Sequence, residues 1–121
     1  MVEETKDLDV ELSFENHTGS IGERPDDILA ILEGAPGLRL DCDLSHLVAC
    51  AVAASDTAPL IPYVHYIALR NAISGNFNRL VENDQLDFDV RPYFALLAGV
   101  DRYSAVEYYE PGMRQRIVPL K

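Results

Sequence analysis

The sequence predicts an α/β fold built on a parallel sheet, and three observations carry that expectation. Short runs of strand character recur at residues 10–15, 38–43, 64–70 and 104–109. The intervals between them are long enough for a helix and its two connections, which is the mark of βαβ units. The first two runs alternate strictly between apolar and polar residues, and each ends in a carboxylate on its polar side. In parallel sheets chemistry collects at the carboxyl ends of the strands, so Glu15, Asp43 and Glu107 are expected to share one rim.

Taken in order, residues 1–9 read as a flexible acidic lead-in and residues 10–121 as a single domain. In the first strand Val10, Leu12 and Phe14 oppose Glu11, Ser13 and Glu15, a period of two. The glycine-bearing stretch Asn16–Gly22 is a loop. Pro25 suits a first helical position, and Asp26 and Asp27 complement the positive end of the helix. Ile28, Leu29, Ile31 and Leu32 supply its buried stripe, and Gly34, Pro36 and Gly37 stop it. The second strand sets Leu38, Leu40 and Cys42 against Arg39, Asp41 and Asp43. A helix is expected over 46–54, then a connection through Thr57–Tyr63 interrupted by Pro59 and Pro62. The third strand follows at 64–70, and residues 71–86 read as a long polar loop. Asp87 is a suitable N-cap for a helix through Ala98, with Gly99 as its stop. After the last strand, in which Tyr108 and Tyr109 are expected to pack, a tail runs from Pro111.

With 121 residues the chain makes one domain with a modest core. Twenty acidic residues against ten basic ones leave a formal net charge of -10. Such a surface repels phosphate backbones, whose binding depends on cationic contacts and counterion release, so nucleic acid is not an expected partner. The longest apolar run, Leu47–Ala54, is far short of the ~20 residues that span a bilayer. The acidic N-terminus lacks an apolar leader region, and a cytoplasmic location is expected. Lysine occurs only at Lys6 and Lys121. An acidic, lysine-poor composition matches salt-adapted proteins and equally an ordinary acidic one. Cys42 and Cys50 have no metal or redox spacing and read as reduced, packed thiols.

Several segments in order resemble a known family. They are Phe14-Glu15-Asn16-His17-Thr18-Gly19, Leu40-Asp41-Cys42-Asp43-Leu44-Ser45-His46, Leu69-Arg70-Asn71-Ala72 and Val106-Glu107-Tyr108-Tyr109. The chain resembles the C-terminal half of the xylose-isomerase-like TIM-barrel superfamily, which includes sugar and sugar-phosphate isomerases, epimerases and apurinic-site endonucleases. The resemblance implies a parallel (β/α)4 half of a TIM barrel, corresponding to strands 5–8. It implies a divalent metal, Mn, Mg, Co or Zn, held by Glu15, Asp43 and Glu107. Glu15 and Glu107 would be the acid and base, and His46, His17 and Arg70 would contact a small carbohydrate.

Departures from the family pattern accompany this. Ala68 stands where the family has a seventh-strand His ligand, so metal affinity is expected to be weak or lost. His65 lies one residue from a ligand parity and is expected to face the helices unless the strand slips or bulges. Glu82-Asn83-Asp84 replaces a Gly-Glu-Gly, and Asn71 replaces an Asp. A complete barrel needs eight βα units and roughly 250 residues, so a second copy or a complementary half-barrel chain is expected to finish it.

The implied activity is metal-dependent isomerisation or epimerisation, by proton transfer next to a carbonyl. The alternative is a non-catalytic half-barrel remnant or structural subunit, and a repair nuclease ranks below both. Without the resemblance, Glu15 and Glu107 suit ion pairs with Arg39 or Arg70 and no metal.

Overall fold

The computed structural model describes residues 2–79, 85–98, 100 and 103–107. Its centre is a four-stranded, wholly parallel sheet of β1 (Ser13–Glu15), β2 (Arg39–Asp43), β3 (Val64–Leu69) and β6 (Tyr103–Val106), side by side in that order. Helices α1 (Pro25–Gly34), α2 (Leu44–Ala49) and α3 (Arg91–Leu97) fall in the connections, and β4 (Asn71–Ile73) and β5 (Asn76–Arg79) form a separate antiparallel hairpin. The sequence expectation of an α/β parallel sheet is met.

A sheet whose neighbours follow chain order, joined by right-handed crossovers, places its connections on one face. The core lies on that face. Ile28 and Leu32 of α1, Leu44 and Leu47 around α2, Leu60, and Tyr93 and Leu97 of α3 pack against Leu40, Cys42, Val64, Ile67 and Leu69 of the sheet. The aligned register puts Phe14 beside Leu40 and Val64, and Cys42 beside Ile67. The alternate residues form the opposite, polar face: Glu15 beside Asp41, Tyr66 and Tyr103, then Asp43 beside Ala68 and Ala105. Tyr103 is 79% exposed there.

The first strand is shorter than the sequence reading, beginning at Ser13 and leaving Val10 exposed, and four further elements differ, each for a physical reason. The helix expected over 46–54 ends at Ala49 because Ala51 turns left-handed, with φ 54°. The amides of Ala51 and Val52 return to the carbonyls of Val48 and Leu47, the double bond of a Schellman stop usually closed by glycine. Residues 54–63 become a run of 3-10 turns, since Pro59 and Pro62 have no amide to donate. Helix α3 starts at Arg91 rather than Asp87, because the Asp87 carboxylate accepts from Asn71 and Arg79 while Asp89 accepts from the Arg91 amide. The expected loop at 71–86 contains the β4–β5 hairpin. Its tip is a Ser74-Gly75 turn with Gly75 at φ 80°, and the Gly75 amide is tied to the Ala49 carbonyl.

At the other end, Glu3–Leu8 forms a 3-10 helix within the acidic lead-in. The last strand begins at Tyr103. Gly99, the segment 82–84, Tyr108, Tyr109 and the tail from Pro111 lie outside the described residues. Cys42 is buried and Cys50 half-buried, both as free thiols. Among the described residues no helix is long and apolar enough to cross a membrane.

The strand β3 also departs from regular pairing. Leu40 faces Val64, but the next residue, Asp41, faces Tyr66. His65 is therefore the surplus residue of a bulge. It does not join the core as its parity implied. Its Nδ1 lies 3.0 Å from Glu11 Oε2 at a partly open position.

Candidate functional site

At the carboxyl ends of the strands, Glu15 leaves β1, Asp43 leaves β2 and Arg70 follows β3, all on the polar face. His46 comes up from the first turn of α2. One ligand atom from each of Glu15, Asp43 and His46 lies within 4.8 Å of the others, a group able to hold a metal ion.

The construction around Asp43 explains its position. After Glu15 the backbone of β1 leaves the sheet, and Asn16 continues the pairing with its side chain. Its Nδ2 donates to the Asp43 carbonyl at 3.0 Å, and its Oδ1 accepts from the Asp43 amide at 2.8 Å. The carboxamide thus substitutes for one more peptide of the strand. Asp43 in turn caps α2: its Oδ1 accepts from the Ser45 amide at 2.8 Å and from the Ser45 hydroxyl. That leaves Oδ2 aimed into the site, buried and without a hydrogen-bond partner. Asp43 itself is fully buried.

His46 is almost as enclosed, at 1% exposure. Its Nδ1 accepts from the Thr18 amide at 3.1 Å and lies 3.0 Å from the Thr18 hydroxyl. A backbone amide can only donate, so Nδ1 carries the lone pair and Nε2 carries the proton. Nε2 faces Asp43 Oδ2 at 3.6 Å and Glu15 Oε1 at 4.0 Å, too far to bond either. Burial, aided by the nearby His17 and Arg70, pulls the imidazole pKa down to about 4 against the opposing charge of Asp43. The ring is neutral at pH 7 and presents an N–H to the space between the carboxylates.

The remaining charges crowd the same rim. Arg70 Nε lies 2.7 Å from Glu107 Oε2, and its Nη2 lies 3.3 Å from Asp43 Oδ2 and 3.6 Å from Glu15 Oε1. Burial raises the Glu15 pKa, reinforced by Asp43 and partly offset by Arg70. Burial first, then Glu15, Asp43 and Glu107, pushes Asp41 up to about 6. An aromatic wall closes one side. His17 stacks on His46 with ring centres 3.9 Å apart, Phe77 of the hairpin lies 4.2 Å from His46, and the Arg70 guanidinium is 6.0 Å from the Phe77 ring centre.

The sequence-chosen residues are therefore distributed unevenly. Glu15, Asp43 and His46 meet, whereas Glu107 is held by Arg70 and His17 is exposed above the His46 ring. Ala68 is buried beside Asp43 and offers no ligand. Asn16, Thr18, Asp41 and Phe77 were not singled out. Asp41 was visible in its parity, and Phe77 was hidden because the hairpin was read as loop. The donor chemistry fits a hard divalent cation at Glu15 and Asp43, whose Oδ2 has an ion-pair contact with Arg70 but no hydrogen bond. It does not suit His46 as a ligand in its present tautomer, because Nε2 has no lone pair to give.

Comparison with family models, with curated proteins and with solved structures finds no match to this chain.

Proposed function

We propose that this chain is an isomerase- or epimerase-like protein that moves a proton next to the carbonyl of a small carbohydrate. Its scaffold is the half of a TIM barrel corresponding to strands 5–8, completed by a second copy or by a complementary chain. The reading draws on the resemblance of the strand-end motifs and on the order of the parallel sheet. One observation carries it: Asp43 Oδ2 and the His46 Nε2–H are buried, without a hydrogen bond, and gathered with Glu15 at the carboxyl ends of the strands. Buried polar atoms left open in this way are costly unless something binds them.

Glu15, its pKa raised by burial and by the neighbouring Asp43, is the carboxylate suited to take and return a proton. The His46 N–H donates to a substrate oxygen, and as a neutral donor it gives up no charge in doing so. Glu107 and Arg70 form an ion pair on the far side of the site, with Glu107 as the second carboxylate of the acid–base pair. A divalent cation held by Glu15 and Asp43 would supply polarisation of the carbonyl and hydroxyl oxygens. Phe77 and His17 offer flat apolar faces to the carbon side of a sugar.

The test is solvent exchange. Unphosphorylated and phosphorylated aldoses and ketoses are incubated with the chain and Mn²⁺ in D₂O, and deuterium at the carbon beside the carbonyl is followed by NMR. Exchange above the uncatalysed rate, lost in Glu15→Gln, supports the proposal. No exchange with any sugar refutes it and leaves the second reading, a structural half-barrel subunit. That reading is favoured by the buried methyl of Ala68 beside Asp43, where a ligand is missing.

A further inference from the structure

We propose that Arg70 is the resident cation of this site and sets its affinity for a divalent metal ion by competing for the same two oxygens. The inference rests on the reading of Glu15 and Asp43 as cation-binding carboxylates and adds what regulates them.

The Arg70 guanidinium reaches three acids at once: Glu107 through Nε at 2.7 Å, and Asp43 Oδ2 and Glu15 Oε1 through Nη2 at 3.3 and 3.6 Å. The last two atoms are those that a Mg²⁺ or Mn²⁺ ion would need at roughly 2.0–2.2 Å. A guanidinium is a permanent charge at ordinary pH. It can only move.

The geometry of the three contacts is unequal, and the inequality matters. The Glu107 contact is as short as a charge-assisted N–H···O bond, about 2.7–2.9 Å, but it lacks the alignment of one, because Arg70 Nε is left without a hydrogen-bond partner, and the other two contacts are longer. Asp43 Oδ2 consequently still lacks a hydrogen-bond partner, although Nη2 stands nearby. Arg70 offsets the charge of Asp43 and Glu15 without occupying their lone pairs. Its nearest contact is Glu107, and it stands farther from the other two.

A divalent ion entering between Glu15 and Asp43 therefore meets a positive charge already pointed at its ligands. Two like charges in a half-buried site repel strongly. The ion binds only as Nη2 withdraws and the guanidinium rests on Glu107 alone. The buried Asp43 and the neutral His46 contribute no further positive charge, so Arg70 is the group that decides the affinity.

The experiment is a Mn²⁺ titration of the full chain at pH 7.5, reading free Mn²⁺ by EPR. Folding of each variant is checked by circular dichroism. Arg70→Met and Arg70→Gln remove the charge and are expected to tighten Mn²⁺ binding by about tenfold or more. Arg70→Lys keeps the charge and is expected to stay within about threefold of the natural chain. Adding Asp43→Asn to Arg70→Met is expected to abolish the gain, which ties it to this site rather than to surface carboxylates. If the natural chain binds and the neutral variants bind no tighter, or if Arg70→Lys tightens as much as they do, the competition is overturned while the cation site stands. If no form binds at millimolar Mn²⁺, the reading of Glu15 and Asp43 as cation ligands falls, and this proposal falls with it.

Discussion

Replacing Asn16 by alanine tests whether a side-chain amide holds two strands together at the rim. Asn16 is 1% exposed, and its side chain bonds the amide and carbonyl of Asp43, at 2.8 and 3.0 Å. Alanine leaves both backbone groups buried and unpaired. Each such group costs ~1–3 kcal/mol, so a loss of about 3 kcal/mol is expected. Against a total stability of roughly 5–15 kcal/mol for a domain, that is a large fraction. Aspartate at the same position keeps an acceptor for the Asp43 amide but has no donor for its carbonyl. It also buries a charge beside Asp43, so Asn16→Asp should be worse at pH 7 than at pH 4.5. Urea unfolding followed by circular dichroism gives both numbers. A loss below about 1 kcal/mol for Asn16→Ala would show that water or a backbone shift replaces the clamp, and the account of how Asp43 is positioned would be wrong.

Three further outcomes follow, from the backbone, from the acidic face and from His46. Ala51→Gly relieves a left-handed residue at the stop of α2 and should raise the urea midpoint, by an amount equivalent to about 1 kcal/mol. Asp41 has its folded pKa raised to about 6 from an ordinary 3.8, so its cost to stability is absent below 3.8, grows as pH rises from there and is complete above 6. Asp41→Asn should therefore be more stable than the natural chain at pH 7.5, and that advantage should shrink to nothing near pH 4. His46 acts in the opposite sense. Its lowered folded pKa contributes stability that is complete above pH 6.5 and is lost as pH falls toward 4. Paired denaturation curves at pH 4 and 7.5 check both signs.

The parallel sheet was legible because alternation is a local signal: Leu40 and Cys42 against Asp41 and Asp43 can be read without knowing any neighbour. The rim was legible for the same reason, since Glu15 and Asp43 each end a run of fixed parity. What stayed hidden depended on partners distant in sequence. Nothing local marks Asn16 as the amide that bonds Asp43, 27 positions away. The end of α2 was missed because Ala51 adopts a conformation usually reserved for glycine. Phe77 escaped notice because a hairpin of Asn71–Ile73 and Asn76–Arg79 is polar enough to pass for loop. His65 was assigned to the helix side on a strict count of two, and a single surplus residue upsets that count.

That surplus residue separates two jobs within one short strand. Val64 is seated by its neighbour Leu40 beneath the helices, and Ala68 is set level with Asp43 at the opposite end. The extra length between them is taken up at His65, so neither seat dictates the other. A chain shortened by that one position would still match Leu40 to Val64 and Asp41 to Tyr66, and Arg70 would keep its outlook over the acids. The two ends of the strand are thus specified by different contacts.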